Sequence, residues 1–235
     1  MSNDFFHFKQ FCIRHDRCAM KVGTDGVLLG AWGSVEGKRI LDIGTGTGLI
    51  ALMAAQRNPD AEVLGIDVDA EAVAQARENV AESPFSSNVE CAVQDVLTFE
   101  TAEPFDAILC NPPFFTEDTL PDDNSRALAR NNKSLPFSLL IRKVTTLLAE
   151  EGKFSLIVPT GLVPEIVGLC LESSLHLIRR CEVHTTACKP PRRILLTFSK
   201  HAQSASDELH QRLCLVADDG TRSQEYQNLT KDFYL

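Results

Sequence analysis

Leu41-Asp42-Ile43-Gly44-Thr45-Gly46-Thr47-Gly48 decides how the rest of the chain is read. Arg39-Ile40-Leu41 supplies the apolar end of a strand, and Leu49 to Ala55 continues as an apolar helix until Asn58-Pro59 stops it. Three glycines at alternate positions, Gly44, Gly46 and Gly48, remove every Cβ that would collide where the backbone must approach a ligand. Strand, tight turn and helix make one half of a nucleotide site.

Dinucleotide-binding turns read G-x-G-x-x-G and aim a helix N-terminus at a pyrophosphate. Here the pattern is D-x-G-x-G-x-G. Asp42, two places before the first glycine, would repel a pyrophosphate but suits a ligand carrying an ammonium group, such as the methionine end of S-adenosylmethionine. The expectation therefore moves from hydride transfer to methyl transfer. Asp67 closes the next apolar run, Val63-Leu64-Gly65-Ile66, twenty-one positions after Gly46, with Val68 beside it. Such folds place there the carboxylate that accepts both ribose hydroxyls.

Beyond Asp67, Asp69 is expected to cap a helix running through Ser83, with Val73, Ala76 and Val80 as its apolar stripe and Pro84 as its stop. Val89 to Val93 reads as a third strand, and Asp95 with Val96 follows just past its end. Asp95 is either an acceptor for an adenine amino group or a turn cap. Phe105 to Cys110 is the fourth strand and runs directly into Asn111-Pro112-Pro113-Phe114. Two prolines end the strand and remove two backbone donors, which leaves a rigid, acceptor-rich turn on the same rim as the aspartates. The side-chain oxygen of Asn111 and the carbonyl of Pro112 can each accept from one planar NH2 group, while Phe114 offers a stacking face. Two fixed acceptors draw the N–H bonds of such an amine out of conjugation and aim its lone pair at a methyl carbon.

Thr116 to Lys133 is polar and suits a loop at the mouth of the site. Pro136 then opens a helix whose core face is Leu139, Leu140, Val144, Leu147 and Leu148, ended by Gly152. Phe154 to Pro159 is the fifth strand, Leu162 to Ser174 is helical, and Leu177 to Thr186 with Arg193 to Ser199 forms a closing antiparallel pair. The expected fold is a single α/β domain over residues 1–235, a doubly wound, mostly parallel, seven-stranded sheet with that hairpin at its end. Residues 1–33 form an N-terminal strap. Either Phe5, Phe6, Phe8 and Phe11 cover an exposed face of the domain, or the strap is a flap over the ligand with Lys9, Arg14, Arg17 and Lys21 facing substrate.

At 235 residues and 44% apolar content the chain has ample material for one core. No run of eighteen apolar residues and no leader-like N-terminus occurs, so a soluble cytoplasmic protein without a membrane contact is expected. Eight cysteines with no C-x-x-C read as free, mostly buried thiols, and the six histidines show no ligand spacing, so no metal is expected. The net charge of −9 argues at first against nucleic acid. Its distribution reverses that: Asp95 to Ser125 holds eight acids and no base, Arg126 to Lys143 five bases and no acid, and Arg179 to Lys200 six bases against Glu182. Segregated charge gives an acidic protein a basic rim. Lys189, Arg192 and Arg193 are a solvated hairpin tip or RNA-phosphate contacts.

With both motifs placed, the chain resembles class I S-adenosylmethionine-dependent methyltransferases, and within them the N-P-P-[FYW] enzymes that methylate exocyclic or amide nitrogens. Phe8-Lys9-Gln10-Phe11, the stretch from His15 to Gly26, Ser83-Pro84-Phe85 and Asp232-Phe233-Tyr234-Leu235 make it similar to the bacterial family that N6-methylates adenine 37 of a valine tRNA. The resemblance implies that Asp42, Gly44, Gly46 and Gly48 surround the methionine part of the cofactor, Asp67 and Val68 its ribose, and Asp95 and Val96 its adenine. Lys21, Thr24 and Asp25 would close over the methionine end, and Asn111, Pro112, Pro113 and Phe114 would hold the flipped base. The tRNA partner would lie along Lys9, Arg14, Arg17, Arg126, Arg130, Lys133, Lys189, Arg192 and Arg193, on a monomer needing no protein partner. Phe114 departs from the Tyr typical of that family. Phe is frequent in enzymes methylating guanine N2 of ribosomal RNA, which keeps that target and a protein glutamine amide as alternatives. A non-catalytic module that binds S-adenosylmethionine or RNA is the third reading.

Overall fold

A computed structural model describes residues 4–16, 21–112, 135–202 and 209–235. The chain starts with an antiparallel hairpin, β1 (Phe5–His7) and β2 (Cys12–Arg14), followed by helix α1 (Thr24–Trp32). Next come β3 (Arg39–Ile43), α2 (Leu49–Arg57), β4 (Glu62–Asp67), α3 (Ala70–Ala81) and β5 (Val89–Val93). The second half runs β6 (Phe105–Cys110), α4 (Phe137–Leu147), β7 (Leu148–Pro159), α5 (Val163–Glu172), β8 (His176–His184), β9 (Arg193–Ser199), β10 (Leu209–Cys214) and α6 (Gln224–Thr230).

The large sheet has the strand order β10-β8-β9-β7-β6-β3-β4-β5. β3 pairs in parallel with both β4 and β6, so the direction of winding reverses between β3 and β6. That reversal opens a crevice at the carboxyl ends of these strands, where α/β sheets bind ligands. Side chains alternate cleanly between the faces. Ile40, Ala107, Leu109, Ile157 and Leu195 pack with α1, α2 and α3, whereas Leu41, Ile108, Leu156, Leu196 and Phe198 pack with α4 and α5.

Two expectations are corrected. The sheet has eight strands rather than seven, because Leu209–Cys214 joins the edge beside β8 in parallel, beyond the antiparallel β8–β9 pair. Its sequence, Leu-His-Gln-Arg-Leu-Cys, lacks the apolar run of the central strands, since an edge strand buries little of itself. The helix after Pro136 ends at Leu147, and Leu148 opens β7 opposite Phe105 instead of facing the core from a helix. Leu139 is 43% exposed. Gly152 is no helix stop; it lies inside β7, where a Cβ would meet the carbonyl oxygen of Phe105 at 2.9 Å.

Within the aromatic strap the four rings differ: Phe5 is 42% exposed, whereas Phe8 and Phe11 are in the core. Phe8 and Phe11 are buried and stacked at 4.8 Å, with Tyr234 parallel to Phe8 at 5.9 Å and Phe85 edge-on to Phe11 at 6.4 Å. The amide of Lys9 donates to the carbonyl of Phe233 at 2.8 Å, so the two ends of the chain hold one another. No described helix is long and apolar enough to cross a membrane. Of the described cysteines, Cys91, Cys110, Cys170 and Cys181 are buried, and burial pushes their thiols up, Cys181 to about 11. Cys12 and Cys214 are half-buried and Cys188 is exposed.

Candidate active site

The glycine turn is built by conformation. Gly44, Gly46 and Gly48 have φ of +72°, +54° and +82°, a region that costs any other L-residue steric strain. Collision is not the reason at the first of them, because a Cβ on Gly44 would meet no protein atom within 4 Å. It would project into open space instead. The turn is held from below by the next strand: the amides of Gly44 and Thr45 donate to the carbonyl of Ile66 at 2.9 and 3.0 Å. The amide of Gly46 donates to Asp67 Oδ2 at 3.0 Å, and that of Asp69 to Asp67 Oδ1 at 3.0 Å. Asp67 therefore holds the glycine turn through Oδ2 and the start of its own following turn through Oδ1, and keeps lone pairs for further donors.

Asp42 is not on the surface of the site. It lies fully buried beneath the turn, its Oδ2 accepting from the Thr45 hydroxyl at 2.7 Å, and its Oδ1 has no hydrogen-bond partner among the described residues. Burial pushes its carboxyl up to about 7, against the pull of the Thr45 hydrogen bond and with a further push from the charge of Asp67. The expectation that Asp42 touches the ligand directly is corrected: it is sealed beneath the turn, where it secures Thr45. The alternation of β3 explains this, since Asp42 falls on the same face as Ile40, toward α2.

Above the turn lies a cavity of about 390 Å³. Gly44, Thr45, Gly46 and Thr47 form one wall, Leu49 and Ile50 of α2 its end, and Asn111 and Pro112 its other margin. Lys21 to Gly26 and Arg193 close it from the opposite side. Helix α1 reaches this place because small residues let it lie close on α2. A Cβ on Gly30 would meet Met53 Sδ at 2.6 Å, and one on Gly26 would meet Leu49 Cδ2 at 3.1 Å. Its far end is locked by two cations: Arg57 Nη1 donates to the carbonyls of Gly30 and Gly33 at 2.9 and 2.7 Å, and Arg179 Nη1 to that of Trp32 at 2.9 Å. Burial lowers Arg57 to about 10.

At the cavity side, Asp25 in the first turn of α1 accepts from Arg193 Nε at 2.8 Å. Arg193 was expected at a solvated tip or on RNA, but its side chain is paired here and lines the cavity. Lys189 and Arg192 remain exposed on the β8–β9 connection. Arg14 pairs with Glu82 at 3.2 Å and Lys9 Nζ donates to the carbonyl of Lys231, so both surface cations already contact the chain.

Of the expected cofactor residues, Lys21, Thr24, Asp25, Gly44, Gly46 and Asn111 line the cavity, with Gly48 starting α2 behind them. Asp67, Val68, Asp95 and Val96 lie farther along the rim and do not line it. Val68 is 69% exposed, Val96 is buried, and Asp95 Oδ1 accepts from the amide of Leu97 at 2.9 Å, a turn-capping contact. Asn111 ends up beside β3 because β6 pairs Cys110 with Ile43, and its side chain has no hydrogen-bond partner among the described residues. Pro113, Phe114, Arg17, Arg126, Arg130 and Lys133 lie outside the described residues.

Two further residues matter that the sequence reading passed over. Asn79, buried on α3, donates to the carbonyls of Thr47 and Arg14 at 2.9 and 3.0 Å and accepts from the Arg14 amide at 2.9 Å. Gln75, one turn earlier and fully buried, donates to Asp16 at 2.6 Å. Together they join the strap to the glycine turn. Their signal was two polar residues beside the apolar stripe of α3, four apart.

The site suits S-adenosylmethionine on its own geometry. The open space at Gly44 is a cradle that one Cβ would fill, and acid and base stand together at the cavity margin, as a zwitterionic amino-acid end requires. A profile of the methyltransferase small domain matches residues 22–159. A tRNA1(Val) (adenine(37)-N6)-methyltransferase of Bacteroides thetaiotaomicron is 44% identical over 100% of this chain and 99% of its own. One of the same name from Pseudoalteromonas translucida is 41% identical over 98% of each. Among solved structures, a predicted O-methyltransferase of Agrobacterium tumefaciens superposes with a TM-score of 0.69 at 21% identity, covering 89% of this chain and 96% of that one.

Proposed function

The chain belongs to the tRNA1(Val) (adenine(37)-N6)-methyltransferase family and carries its methyltransferase small domain, and from that membership we infer that it methylates the exocyclic N6 of adenine 37 in a valine tRNA. S-adenosylmethionine supplies the electrophilic methyl group. The names of full-length relatives at 41–44% identity favour adenine over the guanine-N2 and glutamine-amide alternatives, so Phe114 in place of Tyr does not mark a change of target. A non-catalytic role is likewise disfavoured.

One observation carries the assignment of roles. Asn111 and Pro112 share a cavity with the glycine turn. The Asn111 amide oxygen and the Pro112 carbonyl accept the two N6–H bonds and hold the amine facing the turn. Pro112, buried and without an amide proton, keeps that carbonyl fixed. Pro113 and Phe114 follow in the sequence, and Phe114 offers an aromatic ring on which the base can stack. The Gly44–Thr47 backbone holds the methionine part and Asp67 the ribose, with Val68, Asp95 and Val96 toward the adenine. Lys189 and Arg192, exposed near the same rim, meet tRNA phosphates together with Arg126, Arg130 and Lys133. A cytoplasmic monomer fits this role.

Incubation with unmodified bulk tRNA and methyl-labelled S-adenosylmethionine, then nucleoside digestion and mass spectrometry, tests the reading. N6-methyladenosine is the expected product. N2-methylguanosine, or no label in RNA, would remove it.

A further inference from the structure

The connection between β8 and β9 is an exposed turn whose backbone is held from three sides. Arg212 Nη2 on β10 donates to the carbonyl of Ala187 at 2.6 Å, His184 Nδ1 at the end of β8 to that of Lys189 at 2.7 Å, and Thr160 Oγ1 after β7 to that of Pro191 at 2.7 Å. A carbonyl only accepts, so Nδ1 carries the hydrogen. The amides of Lys189 and Arg192 add bonds to the carbonyls of Thr186 and Val183 at 3.2 and 3.1 Å. Pro190 and Pro191 have a fixed φ and no amide to satisfy. Connecting segments on a surface are ordinarily the mobile parts of a fold. Here alternate carbonyls from 187 to 191 are each fixed by a side chain of a different element.

What this frame presents to solvent is positive charge: Lys189 and Arg192 are exposed on it, while His184 is buried. Strand direction sets its place. β9 begins opposite Pro159, the last residue of β7, and β10 ends opposite His184, so the turn stands on the carboxyl rim. Arg193, next in sequence, lines the cavity. Two strand spacings, roughly 10 Å, separate β9 from β6, which leads into Asn111. A nucleic-acid strand carries a phosphate about every 3.4 Å of helix, so phosphates within a few nucleotides of a base at Asn111 reach the turn. Cations carried on a fixed backbone lose less freedom on binding, and carbonyls already engaged by donors offer less negative potential to an approaching phosphate.

Resting on the tRNA assignment above, we propose that the 185–192 connection is a preformed docking site for the phosphate backbone of the substrate tRNA, with Lys189 and Arg192 as its contacts and His184, Thr160 and Arg212 as the positioning residues that hold it. These three act through the turn and not on the reacting atoms.

Fluorescence anisotropy of a labelled valine tRNA transcript, titrated at several salt concentrations with S-adenosylhomocysteine present, tests this without turnover. Lys189→Gln combined with Arg192→Gln is expected to reduce the slope of log K against log salt by about 1.5–2, the share of two phosphates. His184→Phe, which fills the space without a donor, is expected to raise the Kd for tRNA by about threefold to tenfold, the scale of loosening those two contacts. Calorimetry should find its Kd for S-adenosylhomocysteine unchanged. Its effect on tRNA should vanish in the Lys189→Gln, Arg192→Gln background, because it acts through those side chains. His184→Asn keeps an N–H near the place of Nδ1 and restores tRNA binding to within about twofold. Neither variant keeps the ring nitrogen Nε2, which lies 3.5 Å from Glu182 Oε2, so rescue by Asn singles out the contact with the Lys189 carbonyl. Thr160→Val, at an exposed position, serves if the Phe variant does not fold. An unchanged tRNA Kd in His184→Phe, or an equal loss in both backgrounds, would overturn the proposal. Wild-type protein that binds S-adenosylhomocysteine but no tRNA would sink the tRNA assignment itself, and the docking site with it.

Discussion

The two walls of the cavity are made in different ways. Gly44 to Thr47 is one run of chain that works through its backbone, whereas Lys21, Asp25 and Arg193 face it with side chains drawn from α1, its approach and β9. In the first wall three positive φ angles, the carbonyl of Ile66 and the carboxylate of Asp67 leave the amides little freedom to lose on binding. In the second, an ion pair joins residues 168 apart in sequence and depends on charge and on ordering two flexible side chains. The first wall presents shape and the second presents charge. An added Cβ is therefore the damaging change on one side, and a lost charge on the other.

Asn111 sits where the walls meet and should give the largest effect. Asn111→Ala is expected to lower kcat by roughly 10²–10³-fold, the scale of one lost transition-state hydrogen-bonding group. The Kd for S-adenosylhomocysteine should stay within about threefold, because the role proposed for this group is on the base and not on the cofactor. Steady-state kinetics on a tRNA transcript, with calorimetry alongside, separates the two. A collapse of cofactor affinity would make Asn111 part of a wall and break the comparison.

Gly44→Ala comes next and sharpens it. A left-handed conformation costs Ala about 1–2 kcal/mol, which lowers Tm by roughly 2–8 °C in a chain of this size. The new methyl also projects into the cavity, so S-adenosylhomocysteine and methylthioadenosine should both weaken, by about tenfold or more if over 1.4 kcal/mol is lost. Selectivity in the Gly44 variant would show that the backbone wall also reads the amino-acid end.

Asp42 supplies the smallest effect and a pH signature. Its folded carboxyl is raised from 3.8 to about 7, chiefly by burial. Folding therefore favours the protonated form, and that contribution is complete below about pH 4 and lost as pH rises through about 7. Asp42→Asn keeps an acceptor for Thr45 and does not titrate. Its Tm relative to wild type should climb between pH 4 and pH 8, by on the order of 1 kcal/mol or more, roughly 2–4 °C. A pH-independent difference would mean that the charge under the turn is compensated.

Much of the backbone wall could be read from the chain alone because its causes are local. Alternate glycines require positive φ, Asp67 closes an apolar run, and Asp69 caps α3 through the amides of Glu71 and Ala72. The buried segment Val27 to Trp32 and the stripe Val73, Ala76, Val80 also declared themselves by hydrophobicity and period. Three readings failed for the opposite reason. Leu148 fits a helix period but pairs with Phe105, Leu209–Cys214 has no core pattern yet completes an edge, and Asp42 looked like a ligand contact until the pleat turned it inward.

Local sterics and periodicity thus determined the turn and the helices beside it, and the motifs quoted from the sequence carried the resemblance to the family. The partnership of Asp25 with Arg193 was decided only in three dimensions. It depends on Gly26 and Gly30 drawing α1 onto α2, and on β9 entering the sheet antiparallel so that its first residue reaches the carboxyl rim. A contact between residues 168 positions apart leaves no trace in local pattern, because strand direction and helix packing place both side chains.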